Sequence, residues 1–113
     1  MSQYLEFMSV NKVILLGNVG NDPEMSFPES GSAIARFSLA TSEPRGIDGR
    51  EIPDWHKIVM LGEKARFAEN YIRKGTKLYL EGRIKYRDWE DKYHIRHKST
   101  EIIVDNFEII GRN

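Results

Sequence analysis

The sequence predicts an all-β fold with one short helix, a five-stranded barrel carrying an extended hairpin between its last two strands. Three observations lead there. Apolar and polar residues alternate with period two over much of the chain, the pattern of half-buried strands. One stretch, 62–75, changes to helical spacing. Gly and Pro clusters separate these segments, as hairpin connections require.

The first predicted strand is Val10–Val19, where the run Val13-Ile14-Leu15-Leu16 is ended by Gly17 and Gly20. Asn21-Asp22-Pro23-Glu24 forms a turn, because proline fixes its own φ and Asn or Asp bonds nearby backbone. Pro28, Ser30 and Gly31 mark a second turn. Ala33–Thr41 is the next strand, with Ala35, Phe37 and Leu39 on one face and Arg36 and Ser38 on the other. Pro44–Pro53 holds Gly46 and Gly49 among charges and is expected to be a long mobile hairpin loop. Asp54–Leu61 is the third strand. Trp55, Lys57, Val59 and Leu61 share one of its faces, and His56, Ile58 and Met60 the other.

In the helical stretch, Ala65, Ala68 and Ile72 lie on one stripe with Phe67 and Tyr71. Glu63 opens it, and Arg73, Lys74 and a capping Gly75 are expected to close it. Lys77–Trp89 alternates again, with Leu78, Leu80, Ile84 and Tyr86 inward. A charged turn near Asp88–Lys92 leads to a last strand, about Tyr93–Ile110. Phe37, Phe67, Tyr71 and Phe107 are assigned to the core. Three strands, a helix and two strands is the order of the OB-fold, a small partly open barrel that binds oligonucleotides across one face.

Composition limits the alternatives. A chain of 113 residues, 40% hydrophobic, builds one domain. Without cysteine it forms no disulfide and uses no thiolate chemistry. No segment has signal-peptide or membrane-spanning character, so a cytoplasmic protein is expected. Seventeen basic and seventeen acidic residues cancel, which speaks against binding polyanions by bulk charge alone. From Arg83 to Lys98, however, six cations face three carboxylates.

The strongest functional signal is Arg83-Ile84-Lys85-Tyr86-Arg87-Asp88-Trp89. In an extended strand Arg83, Lys85, Arg87 and Trp89 project from one face. Cations beside a flat π-surface suit a flexible anionic chain bearing planar rings, which describes single-stranded nucleic acid. A strand face of this kind is also common where it is simply wet. Trp55 shares its face with Lys57, an arrangement a buried surface does not readily accept. His94 and His97, three apart on a strand, point to opposite faces and share no metal. No nucleophile, phosphate-cradling loop or carboxylate set completes an active site, so no enzyme, cofactor or metal is expected.

Met8-Ser9-Val10-Asn11-Lys12-Val13-Ile14-Leu15-Leu16-Gly17-Asn18-Val19-Gly20-Asn21-Asp22-Pro23-Glu24 resembles the opening of bacterial single-stranded DNA-binding proteins. Phe37–Ser42, Trp55-His56, Tyr71–Gly75, Leu78–Arg83 and Ile109–Arg112 match that family in order. The resemblance implies a single DNA-binding domain over 8–112, preceded at 1–7 by an N-terminal extension or cloning remnant. It implies a cytoplasmic, nucleoid-associated homotetramer that coats single-stranded DNA during replication, recombination and repair.

Carried over residue by residue, Trp55 and Trp89 match stacking platforms. Lys12, Lys57, Arg73, Lys74, Lys85 and Arg87 fall at or beside basic contacts, with Arg83 in the same track. Leu61 stands where the family has a third aromatic platform and offers apolar contact only. A fourth falls near Pro44-Arg45, where Arg45 offers its guanidinium plane instead. His56 matches a subunit-interface position. Asn11 is assigned to the same interface, as is Tyr79, which faces away from Leu78 and Leu80. The family's acidic tail is absent from residues 1–113, which are either a truncated DNA-binding core or a short tail-less form, and tail-mediated protein partners are in doubt. The alternative is an OB-fold scaffold subunit of a replication or conjugation complex with weak DNA binding.

Overall fold

The computed structural model describes residues 8–45 and 48–112, without the side chain of Arg45. The expected N-terminal extension at 1–7 lies outside them. The described residues form β1 (Val13–Val19), β2 (Glu24–Ser26), β3 (Ile34–Arg45), β4 (Arg50–Leu61), α1 (Glu63–Tyr71), β5 (Thr76–Glu90) and β6 (Arg96–Arg112). Strand pairing runs β1-β5-β6-β4-β3, and a short β1–β3 pairing at Asn18↔Ala40 and Val19↔Leu39 returns to the start. Five strands thus form a ring. Only β4 and β6 are parallel within it, joined at Lys57↔Glu101 to Val59↔Ile103. This is the OB-fold ring.

The core follows the predicted alternation. Leu39, Ile58, Met60, Leu78 and Leu80 fill the interior and are sealed from solvent. The helix packs on β3 and β4 through buried Ala65 and Ala68, and Ile72 behind it is also fully buried. Closing so small a ring demands close backbone approach. A Cβ on Gly17 would lie 2.2 Å from the Ala40 carbonyl oxygen, at the β1–β3 closure. One on Gly82 would lie 2.2 Å from the Ile103 oxygen, beside the irregularity between Glu81 and Gly82. Only glycine fits either place.

Four details differ from the sequence expectations. The segment 44–53 is not a long loop: β3 and β4 continue as a paired ribbon to Arg45↔Arg50. A short extra strand, β2, pairs with β3 from Glu24↔Arg36 to Ser26↔Ile34. The helix ends at Tyr71, because buried Ile72 turns extended and pulls the chain into the core. Gly75 keeps a left-handed φ of 91°, but serves the turn after the helix, where Thr76 N–H donates to Arg73. Finally, Phe67, Tyr71 and Tyr86 are exposed rather than core. The Phe67 ring lies tilted, 4.6 Å from Tyr71 and 5.2 Å from half-buried Phe107, forming an aromatic cluster at the edge of the core. Tyr86 points inward by parity, yet sits on the β5–β6 ribbon beyond the barrel, with no core behind it.

Candidate nucleic-acid interface

Register turns the period-two patterns of four strands into one outer surface. Lys57 pairs with Glu101 of β6 on one side and Ser38 of β3 on the other. Lys85, Arg87 and Trp89 of β5 lie opposite Glu101, Ser99 and His97. Side chains of directly paired residues share a face. Trp55, Lys57, Arg83, Lys85, Arg87 and Trp89 therefore project from the same side of the sheet, with Arg36 joining through its partner Val59.

Both indoles are accessible, Trp55 to 59% and Trp89 to 40%. Trp55 rests on the chain at Gly20, where an added Cβ would stand 2.4 Å from its Cζ3 atom. That seat is fixed. Gly20 N–H donates to Ser38 O, and Ser38 donates from both N–H and Oγ to Asn21 Oδ1.

Trp89 is held differently. One face stacks on His97 at 4.4 Å and 21°, and its indole N–H donates to the buried Ser99 hydroxyl at 3.2 Å. The Arg87 guanidinium lies 5.9 Å from the ring centre. His97 Nε2 is 2.9 Å from Asp91 Oδ2. That hydrogen bond, with backbone N–H donors from Ile95 and Tyr93, holds the Asp91 carboxyl below the usual aspartate range. The same carboxylate shapes the hairpin turn, in which His94 adopts φ 64° and bonds Glu90 instead.

Cations share the surface with the indoles. Lys57 Nζ reaches Ser99 Oγ at 3.4 Å, and Arg87 Nε donates to Glu101 Oε2 at 3.1 Å. Arg83 is paired with Asp105 at 2.6 Å. Leu61 shares the Trp55 face and is 43% exposed.

The remaining candidates lie elsewhere. Lys12 pairs with Glu81 at 3.2 Å on the β1–β5 flank. The Tyr79 hydroxyl donates to Glu81 at 2.6 Å. That bond, followed by Lys12, holds the Glu81 carboxyl low, and it also raises the Tyr79 phenol. Exposed Ile14 and Leu16 lie opposite Glu81 and Tyr79. The Asn11 amide donates to Ile84 O and accepts from Ile84 N–H, acting as one more rung beside β5.

Arg73 directs its guanidinium to the Glu69 and Ile72 carbonyls at the helix end. Lys74 N–H bonds Asp22, on the loop just beyond the Trp55 seat. His56 faces away from Trp55, bonded to Thr41 Oγ1 at 2.8 Å, at a cleft it shares with Val13 and Ile84. Arg45 falls in the β3–β4 ribbon; its side chain lies outside the described residues.

Sequence reasoning missed Gly20, Arg36, Ser99 and Glu101. Gly20 reads as a strand terminator and Glu101 as one more polar residue. Only long-range register brings them under Trp55 and between the arginines.

A five-strand OB ring with exposed indoles and cations on one outer face defines an oligonucleotide-binding type of domain. Residues 10–110 match the model of the Single-strand binding protein family. Over 110 residues the chain is 47% identical to the single-stranded DNA-binding protein of Bacteroides thetaiotaomicron, covering 92% of this chain and 68% of that protein. This chain belongs to the single-strand binding protein family, whose members bind rather than catalyse.

Proposed function

We propose that residues 8–112 form one domain that binds and coats single-stranded DNA with little sequence preference, during replication, recombination and repair. The observation that carries this is the placement of exposed Trp55 and Trp89 on one face with Lys57, Lys85 and Arg87. Indoles stack on any base, since every base offers a π-face, while cations follow the phosphates. Base-edge recognition is not needed, which fits low sequence preference. Trp89 is stacked on His97 yet 40% exposed, which supports a base meeting the exposed part of the ring.

Exposed Ile14, Leu16 and Ile110 support assembly of copies, with a homotetramer as the proposed state. His56, Tyr79 and Asn11 are the residues offered for its interfaces. Membership of the family supports a cytoplasmic, nucleoid-associated location. Leu61, lacking a π-face, favours the scaffold alternative, a weakly binding subunit of a larger complex.

Titration with oligothymidine separates the two. Coating predicts strong quenching of tryptophan emission, with log affinity falling by about 0.7 per neutralised phosphate per log unit of salt. Unchanged emission, or affinity indifferent to salt, refutes the coating function. Light scattering of the free protein tests the tetramer.

A further inference from the structure

Glu101 is 4% exposed, yet it sits in the middle of the cationic face. Register places Lys57 on one side of it and Lys85 on the other. Arg87 Nε donates to its Oε2 at 3.1 Å, and Arg36 Nε lies 3.8 Å from the same oxygen. Two arginines thus meet one buried carboxylate, and two lysines flank its residue in register. A buried charge is expensive unless paired, and here the surplus of positive charge compensates it. Among the described residues Arg36 Nε is enclosed with no hydrogen-bond partner, although the side chain as a whole is 38% exposed. Arg36, Lys57, Glu101 and Glu24, the cross-strand partner of Arg36, line an open cleft of about 180 Å³ with Asn21 and Ser38 of the Trp55 seat.

We infer that Glu101 is a positioning residue that fixes Arg36 and Arg87, making the Arg36 cleft a phosphate-binding station of the interface. The inference rests on the DNA-binding function proposed above. A free arginine loses rotamer freedom when it grips a phosphate. Arg87, hydrogen-bonded to Glu101 through Nε, and Arg36, held 3.8 Å from the same oxygen by charge alone, have less to lose and present their outer N–H groups to the ligand. Phosphate is the natural occupant of the cleft, because it takes charge-assisted hydrogen bonds from Arg36 and Lys57 together.

Bulk electrostatics and positioning predict opposite signs for Glu101→Gln. Removing a negative charge beside a polyanion should tighten binding. Loss of positioning should weaken it, by about tenfold for a charged hydrogen-bonding arrangement of this kind. The experiment is oligothymidine titration of the full chain at several salt concentrations, for wild type, E101Q, R36A, R36A/R87A and R36A/R87A/E101Q. Thermal melts confirm that each variant is folded.

The expected results are weaker binding by E101Q and a salt slope smaller by about 0.7 for R36A. E101Q should have no further effect once both arginines are gone, a non-additivity that a purely structural role would not produce. Equal or tighter binding by E101Q, or an unchanged slope in R36A, overturns the inference. If E101Q does not fold, the R36A slope still decides the outcome. Wild-type protein that fails to bind oligothymidine would instead refute the function itself, so the two failures are distinguishable.

Discussion

Gly20→Ala isolates the seating of Trp55 from the stability of the barrel. The added methyl would lie 2.4 Å from Trp55 Cζ3 and 2.8 Å from Ser38 Oγ, below any tolerated contact. Both obstacles are side chains, so the indole yields and the backbone does not. Gly20 is outside the left-handed region in which Gly49, Gly62 and Gly75 lie, so alanine fits its backbone. Reduced freedom of the unfolded chain even favours the variant by about 0.4–1 kcal/mol. Binding is where the cost appears. A base–indole stack is worth about 1–3 kcal/mol, and a tilted ring keeps part of it. The expected loss is about 1 kcal/mol, or about fivefold in affinity. Trp55→Ala, which removes the ring, should lose up to about a hundredfold. The assay is oligothymidine titration beside a thermal melt. Wild-type affinity in G20A, with W55A strongly impaired, would refute the account of the seat.

Other outcomes follow from the same geometry. Gly82→Ala should destabilise the fold by about 1–3 kcal/mol, because its methyl meets the Ile103 backbone, which cannot swing aside; denaturant unfolding measures this, and wild-type stability would contradict it. Lys85→Ala should reduce the salt slope by about 0.7 and weaken binding uniformly across oligonucleotide sequences, whereas Arg83→Ala, already paired with Asp105, should change both less. Asp91 has a depressed folded pKa, so its stabilising contribution is present above its unfolded value and fades as pH falls through the folded one. Acidification below the ordinary aspartate range should therefore free His97 and change Trp89 emission in a W55F background. D91N should show the altered emission already at neutral pH, and an acid step that persists unchanged in D91N would rule out this linkage.

Much of the barrel was legible because period two survives wherever one strand face is buried. Leu78 and Leu80, or Ala35, Phe37 and Leu39, declare the inside by spacing alone. The ribbon at 44–53 was not legible, because Pro44, Gly46, Gly49 and Pro53 resemble a loop. Pairing of β4 with β6 covers only Lys57 to Val59, so the ribbon beyond has free edges. Prolines, which lack a donor, are tolerated on such edges. Phe67 and Tyr71 misled for a different reason. Helical spacing places them together, but does not say that the core ends at Ala65, Ala68 and Ile72.

The candidate site was half visible. The cations and Trp89 on β5 form a local pattern that any strand would display. Gly20, Arg36, Ser99 and Glu101 have no local signature, since each acquires its place from a partner far away in the chain. Ser99 illustrates this. Its hydroxyl meets Trp89 N–H and the Lys57 ammonium only because β6 lies between β4 and β5.

The central claim is that both indoles meet bases directly. With two tryptophans in the chain, the two indole N–H signals in a nitrogen-15 correlation spectrum report on it without ambiguity. Addition of oligothymidine should shift both signals, together with backbone amides of Lys57, Arg87 and Ser99. Saturated binding that leaves both indole signals unmoved, with shifts confined to the Ile14 and Leu16 flank, would contradict the account.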